Sequence, residues 1–107
     1  MKSIESTQQF DTEVLASELP VLVDFWAPWC APCKVVLPML EAIEPEYAGR
    51  VVFAKVNSEQ LGGIARQYHV RSLPTILILR GGAVVETLIG VPRTGDTLRA
   101  WIDRATG

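Results

Sequence analysis

The sequence predicts an α/β fold: a central mixed five-stranded sheet flanked by helices on both faces, in the order β-α-β-α-β-α-β-β-α, with residues 1–107 forming a single domain. Three observations carry this expectation. Short β-branched runs alternate with segments whose apolar residues recur at helical spacing. The helical crossovers call for parallel pairing among the first three strands. A Gly81-Gly82 pair between the last two apolar runs calls for a tight antiparallel hairpin.

The elements follow in chain order. Residues 2–5 suit a short edge strand. Ser6 and Gln9 have the spacing of a capping box for a first helix carrying Phe10, Val14 and Leu15. Pro20 to Trp26 is an apolar, β-branched run that reads as a buried strand. Val36, Leu37, Leu40, Ile43 and Tyr47 then mark one face of a helix running to about Tyr47, broken by Gly49-Arg50. Pro38 lies inside it, removes a hydrogen bond to the Lys34 carbonyl and is expected to kink it. Val51 to Val56 reads as a strand. Leu61, Ile64, Ala65 and Tyr68 mark a helix weakened by Gly62-Gly63, at about 1 kcal/mol per glycine relative to alanine. Thr75–Leu79 and Ala83–Ile89 form the hairpin, and Leu98, Trp101, Ile102 and Ala105 define a last helix.

Composition narrows the function. Apolar residues at 49% and charged residues at 21% suit a globular domain with a real core. A formal net charge of −2 gives no electrostatic footprint for nucleic acid or an anionic membrane. No uncharged apolar run approaches the ~18 residues of a membrane span. Met1 to Ser6 lacks the hydrophobic run of a secretory leader, and two closely spaced cysteines suit a reducing compartment, so a cytoplasmic monomer is expected. A secreted chain already trimmed of its leader would read the same.

Cys30 and Cys33 are the only cysteines, and they sit where a buried strand turns into a helix. Three helical steps separate two Cα atoms by about 5 Å, within disulfide reach. Closing so short a loop adds only about 2 kcal/mol by chain entropy, so the pair suits a reversible switch better than a staple. Cys30 opens the helix, where free N–H groups and the helix dipole favour a thiolate by about 0.3–1 kcal/mol, up to ~2 when partly buried. Cys33 lies one turn in, in register with Leu37 and Leu40, and is expected to be the more buried. Cys30 is therefore the candidate nucleophile and Cys33 the candidate resolving thiol. Half of a zinc site is the competing reading, but a tetrahedral site needs four ligands and His69 is the sole histidine. No metal and no bound cofactor are expected, and His69 reads as a surface or loop residue.

Asp24 interrupts the buried strand just before the cysteines. Buried, its pKa rises; alternation also admits an acid paired within the sheet or facing solvent. Lys55, in the following strand, is a candidate charge partner for it or a plain solvated lysine. Trp26 reads as packing beside the site, Trp101 as helix core, and Pro74 as a proline at the start of a strand.

Val23-Asp24-Phe25-Trp26-Ala27, Trp29-Cys30-Ala31-Pro32-Cys33-Lys34, Pro38, Val56-Asn57, Val70-Arg71-Ser72-Leu73-Pro74-Thr75, Gly81-Gly82 and Gly90 form an ordered set that resembles the thioredoxin family over essentially the whole chain. The resemblance implies a thioredoxin fold and a general protein disulfide reductase. Its partners would be disulfide-containing proteins and a flavin-dependent thioredoxin reductase using NADPH. It implies that Asp24 is the buried acid behind Cys33, taking its proton as Cys33 attacks. It also implies a cis bond at Pro74 opposite the cysteines, leaving the Leu73 backbone free for an extended substrate. Trp29, Ala31, Pro32, Leu73, Gly90 and Val91 would then surround Cys30 as a small apolar surface. Two positions depart from the family's usual glycine: Ala31, and Ser72, where a small residue is usual. The histidine that oxidising relatives often carry is replaced by Pro32. Two other classes stay open: a non-catalytic interaction module on the same fold, and a metal-bridged dimer using one cysteine pair from each chain.

Overall fold

A computed structural model describes residues 1–107. The strands are β1 (Lys2–Ile4), β2 (Val21–Trp26), β3 (Val52–Asn57), β4 (Thr75–Arg80) and β5 (Ala83–Ile89). The helices are α1 (Thr7–Phe10), α2 (Ala31–Ile43), α3 (Gly62–Gln67) and α4 (Gly95–Thr106). The five strands form one sheet in the order β1-β3-β2-β4-β5. β3 is parallel to both β1 and β2, as the crossovers demand, whereas β2–β4 and β4–β5 are antiparallel. The sheet is mixed and its helices cover both faces.

Alternation along β2 divides the core. Val21, Val23 and Phe25 point to one face, where Phe10, Val14, Ile64 and Ala65 from the first and third helical segments cover them. Leu22 points to the other, packed with Val36, Leu40 and Ile43 of α2 and Leu98, Trp101 and Ile102 of α4. Period-two alternation puts Asp24 and Trp26 on the same side as Leu22. The site therefore sits at the carboxyl end of β2, on the α2 side.

Local chemistry explains where the elements stop. The Ser6 hydroxyl accepts the Gln9 N–H at 3.0 Å, but the Gln9 side-chain Oε1 accepts the N–H of Glu5 rather than that of Ser6, so the capping box closes one residue early. The first helix widens after Phe10 into a π-helical turn over Asp11–Leu15. α2 ends at Ile43, four residues short of the expected Tyr47, and continues as a 3₁₀ turn over Glu44–Tyr47. Pro45 is the reason: it has no N–H to continue the ladder. α3 opens on its two glycines. It closes with Val70 N–H donating to the Ala65 carbonyl and His69 N–H to that of Arg66, while His69 adopts the left-handed conformation at φ 58°. At the hairpin, Gly81 and Gly82 have φ of 57° and 81°, the pair of positive values a tight turn between twisted strands requires.

Candidate active site

Cys30 is the residue that caps α2. Its backbone is extended (φ −90°, ψ 105°), and its Sγ accepts the Cys33 N–H at 3.2 Å. One of the helix's free N–H groups is thus aimed at the sulfur, which converts a diffuse dipole argument into a specific donor. Cys30 and Cys33 are joined in a disulfide, with their Cα atoms 5.3 Å apart. The expectation that Cys33 is the more buried does not hold: each cysteine is 4% exposed. The closed pair clusters with Ala27, and Trp26 and Leu73 pack against that cluster. What separates them is their neighbours. Cys30 has the capping N–H and borders exposed apolar residues, whereas Cys33 faces inward.

That inward side is a cavity of about 90 Å³ lined by Asp24, Trp26, Ala27, Pro28, Cys33, Lys34 and Leu37. The volume suffices for a few water molecules. Asp24 is fully buried, and neither carboxyl oxygen has a hydrogen-bond partner in the protein. Burial pushes its pKa up to about 7, and the Lys55 ammonium opposes that rise. Lys55 stands opposite Asp24 in the β2–β3 register, too far for an ion pair, with its Nζ 5.7 Å from the centre of the Trp26 ring. The Trp26 Nε1–H is likewise buried and unpartnered. The acid, the indole and one cysteine thus converge on one small, mostly apolar cavity.

A second segment closes the site from above. The Leu73–Pro74 peptide is cis. The Thr75 hydroxyl donates to the Ser72 carbonyl at 2.6 Å, which ties the turn before β4. Gly90 N–H donates to the Pro74 carbonyl at 2.9 Å, which binds the end of β5 to the same turn. Leu73 packs on the cysteines, and its own N–H and carbonyl make no backbone hydrogen bond. Gly90 has φ 91°, a value that a side chain disfavours, with open space where a Cβ would lie.

Around this disulfide the surface is apolar. Trp29 is 68% exposed, and Ala31, Pro32 and Val91 are also exposed. Two further residues escaped the reading from sequence. Ile89 is 65% exposed and pairs with Thr75 beside the turn. Val35 is 55% exposed and lies one helical turn below Ala31. Thr75 was also missed as a tie for the turn. Strand alternation alone held the signal for Ile89, since Leu88 before it turns inward.

His69 is exposed and apart from this constellation. No three His, Cys, Asp or Glu side chains converge in a way that would hold a metal ion. No helix is long and apolar enough to cross a membrane. A larger open groove, about 620 Å³, lies between the turn and loop that follow α2 and the helix α4. Its charged groups are satisfied locally: Arg99 bonds Glu46, and Tyr47 donates to Asp103.

Residues 2–104 match the thioredoxin family model. Among characterised relatives, the chain is 48% identical to a thioredoxin of Synechocystis sp. over 83% of its own length and 84% of the relative's. It is 48% identical to thioredoxin 1 of Nostoc sp. over 79% and 80% respectively. It is also 48% identical to the chloroplastic M-type thioredoxin of Spinacia oleracea, over 76% of this chain and 45% of that one.

Proposed function

The chain belongs to the thioredoxin family and is a dithiol–disulfide oxidoreductase, and on that footing we propose the following division of labour among its residues. The Cys30 thiolate attacks a substrate disulfide, forming a mixed disulfide and releasing one substrate thiolate. Cys33 then gives its proton to Asp24, directly or through water in the cavity, and attacks the Cys30 sulfur. This closes the Cys30–Cys33 disulfide and releases the second thiolate, which is protonated in turn. The substrate gains two electrons from the dithiol and two protons, one from Cys33 by way of Asp24 and the other from the solvent, which received it when Cys30 ionised. Family membership implies disulfide substrates and a reductase in general; here we infer a thioredoxin reductase drawing on NADPH.

The capping contact from Cys33 N–H to the Cys30 sulfur is the observation that best supports this order. A charge-assisted hydrogen bond is roughly twice as strong as a neutral one, so the donor favours the thiolate over the thiol. Asp24 suits a proton carrier because a pKa of about 7 lets it hold or release a proton near neutrality. Lys55 keeps that value from rising further, and Trp26 walls the cavity. Trp29, Ala31, Pro32, Leu73, Pro74, Gly90 and Val91, extended by Val35 and Ile89, form the docking surface. The free N–H and carbonyl of Leu73 pair with an extended substrate segment.

We further infer that residues 1–107 act as one monomeric domain without a bound cofactor, and that the protein works in the cytoplasm. The two closely spaced cysteines, which suit a reducing compartment, support that reading, while the chloroplastic relative gives the alternative. The deciding experiment is NADPH-coupled reduction of an insulin-type disulfide, comparing wild type with Cys33→Ser. Wild type is expected to turn over. The variant is expected to lose at least a thousandfold in rate and to accumulate a mixed disulfide through Cys30. A mixed disulfide through Cys33 in a Cys30→Ser protein, with none in Cys33→Ser, would reverse the assignment.

A further inference from the structure

The docking surface carries charge of one sign. The three segments that frame the disulfide, residues 26–35, 70–75 and 89–93, contain Lys34, Arg71 and Arg93 and no acid. The whole chain is nevertheless acidic, with a formal net charge of −2. These three cations are exposed and enter no ion pair or side-chain hydrogen bond. Elsewhere the cations are mixed: Lys2, Arg99 and Arg104 are each engaged by a carboxylate, with Glu13, Glu46 and Glu86 respectively, while Lys55, Arg66 and Arg80 make no ion pair. Arg50 is also held, donating to the Glu46 carbonyl.

Chain connectivity places the free cations on the rim. Arg71 lies two residues before Leu73, which packs on the cysteines. Arg93 lies three residues after Gly90, which is bonded to Pro74. Lys34 follows Cys33 directly and lines the cavity beside it. The acids nearest to this rim are Asp24, buried in the cavity that Lys34 also lines, Glu59, brought near by Ser58 N–H donating to the Trp26 carbonyl, and Asp96, three residues after Arg93 and already paired with Arg99.

We propose that this face selects substrate disulfides flanked by aspartate or glutamate. The proposal rests on the reading of the surface as the docking site, and it names the partner's chemistry: an extended acidic segment carrying the disulfide. The apolar centre supplies contact. The cationic rim supplies orientation and a faster encounter, as complementary charge does at other protein interfaces. Exposed charges act over a Debye length of about 10 Å at 0.1 M salt, which covers the few residues on either side of a docked disulfide.

The test uses the reduced, full-length protein and two synthetic peptides with the same disulfide loop, one flanked by glutamates and one by lysines. The readout is the ratio of their second-order rate constants. For wild type at low salt the acidic peptide is expected to react about tenfold faster or more, the ratio falling towards one as salt is raised. In R71E/R93E the ratio is expected to invert. Because each ratio is taken within one protein, a general loss of reactivity cancels. A ratio near one at low salt, or one favouring the lysine peptide, overturns the proposal. Wild type is also assayed with a small uncharged disulfide. Failure there would strike the redox reading itself, whereas normal reduction with no charge preference strikes only the selectivity.

Discussion

The two faces of β2 are built from the same six residues and answer to different demands. On the side of α1 and α3, Val21, Val23 and Phe25 meet only apolar neighbours and are fully buried. On the side of α2 and α4 the strand begins the same way with Leu22, then gives up packing for Asp24 and a small cavity. One step along the chain separates Phe25, which only stabilises, from Asp24, which costs desolvation. The fold can carry the second because the first is uninterrupted.

The sharpest way to break that contrast is to weaken the apolar face. Phe25→Ala is expected to cost about 3–5 kcal/mol, as large-to-small changes of buried aromatic residues do. Denaturant unfolding measures it, and a loss below about 1 kcal/mol would mean that this face does not carry the fold. Asp24→Asn is expected to act in the opposite direction and only at some pH values. An acid with a raised folded pKa binds more protons folded than unfolded. Wild-type stability therefore falls as pH climbs from the unfolded value near ~3.9 through the folded value of about 7, and levels off above it. Removing the charge spares up to about 4 kcal/mol, less what the buried amide itself lacks in partners. The oxidised variant should gain about 1–3 kcal/mol over wild type at pH 8 and nothing at pH 4. Parallel stability curves from pH 4 to 8 would show that Asp24 is not a shifted acid. The smallest effect belongs to Lys55→Met. Its ammonium holds the acid down, so its loss should move the Asp24 titration, followed by carboxyl NMR shifts, to higher pH. An unmoved titration would remove Lys55 from the site.

These two faces also differ in how far they could be read from sequence. Period-two and helical spacing are local signals, so the element order and the parallel strands were legible, and so was the hairpin at Gly81-Gly82. The antiparallel seating of β4 beside β2 was not, because no local pattern encodes which distant strand becomes a neighbour. Pro45 lay in plain view as the end of α2, yet the apolar register of Tyr47 suggested a longer helix. His69 gave no sign of its left-handed backbone, since that position more often holds glycine. At the site, the cysteine spacing and the lone acid in an apolar strand were readable from the chain. The equal burial of Cys30 and Cys33 was not, because it depends on distant Leu73 packing against the pair. The exposed Ile89 belongs with it, being defined by a loop that only the fold brings near.

The capping of α2 by Cys30 has a consequence beyond chemistry. A single sulfur atom both exchanges electrons and closes the first turn of a helix. Isotope exchange at the Cys33 amide therefore registers what that sulfur is bonded to. A thiolate is a better acceptor than a disulfide sulfur, so this backbone hydrogen is expected to exchange more slowly in the reduced protein. The helix carries its own meter of redox state, read through hydrogen and without any label on the sulfurs themselves.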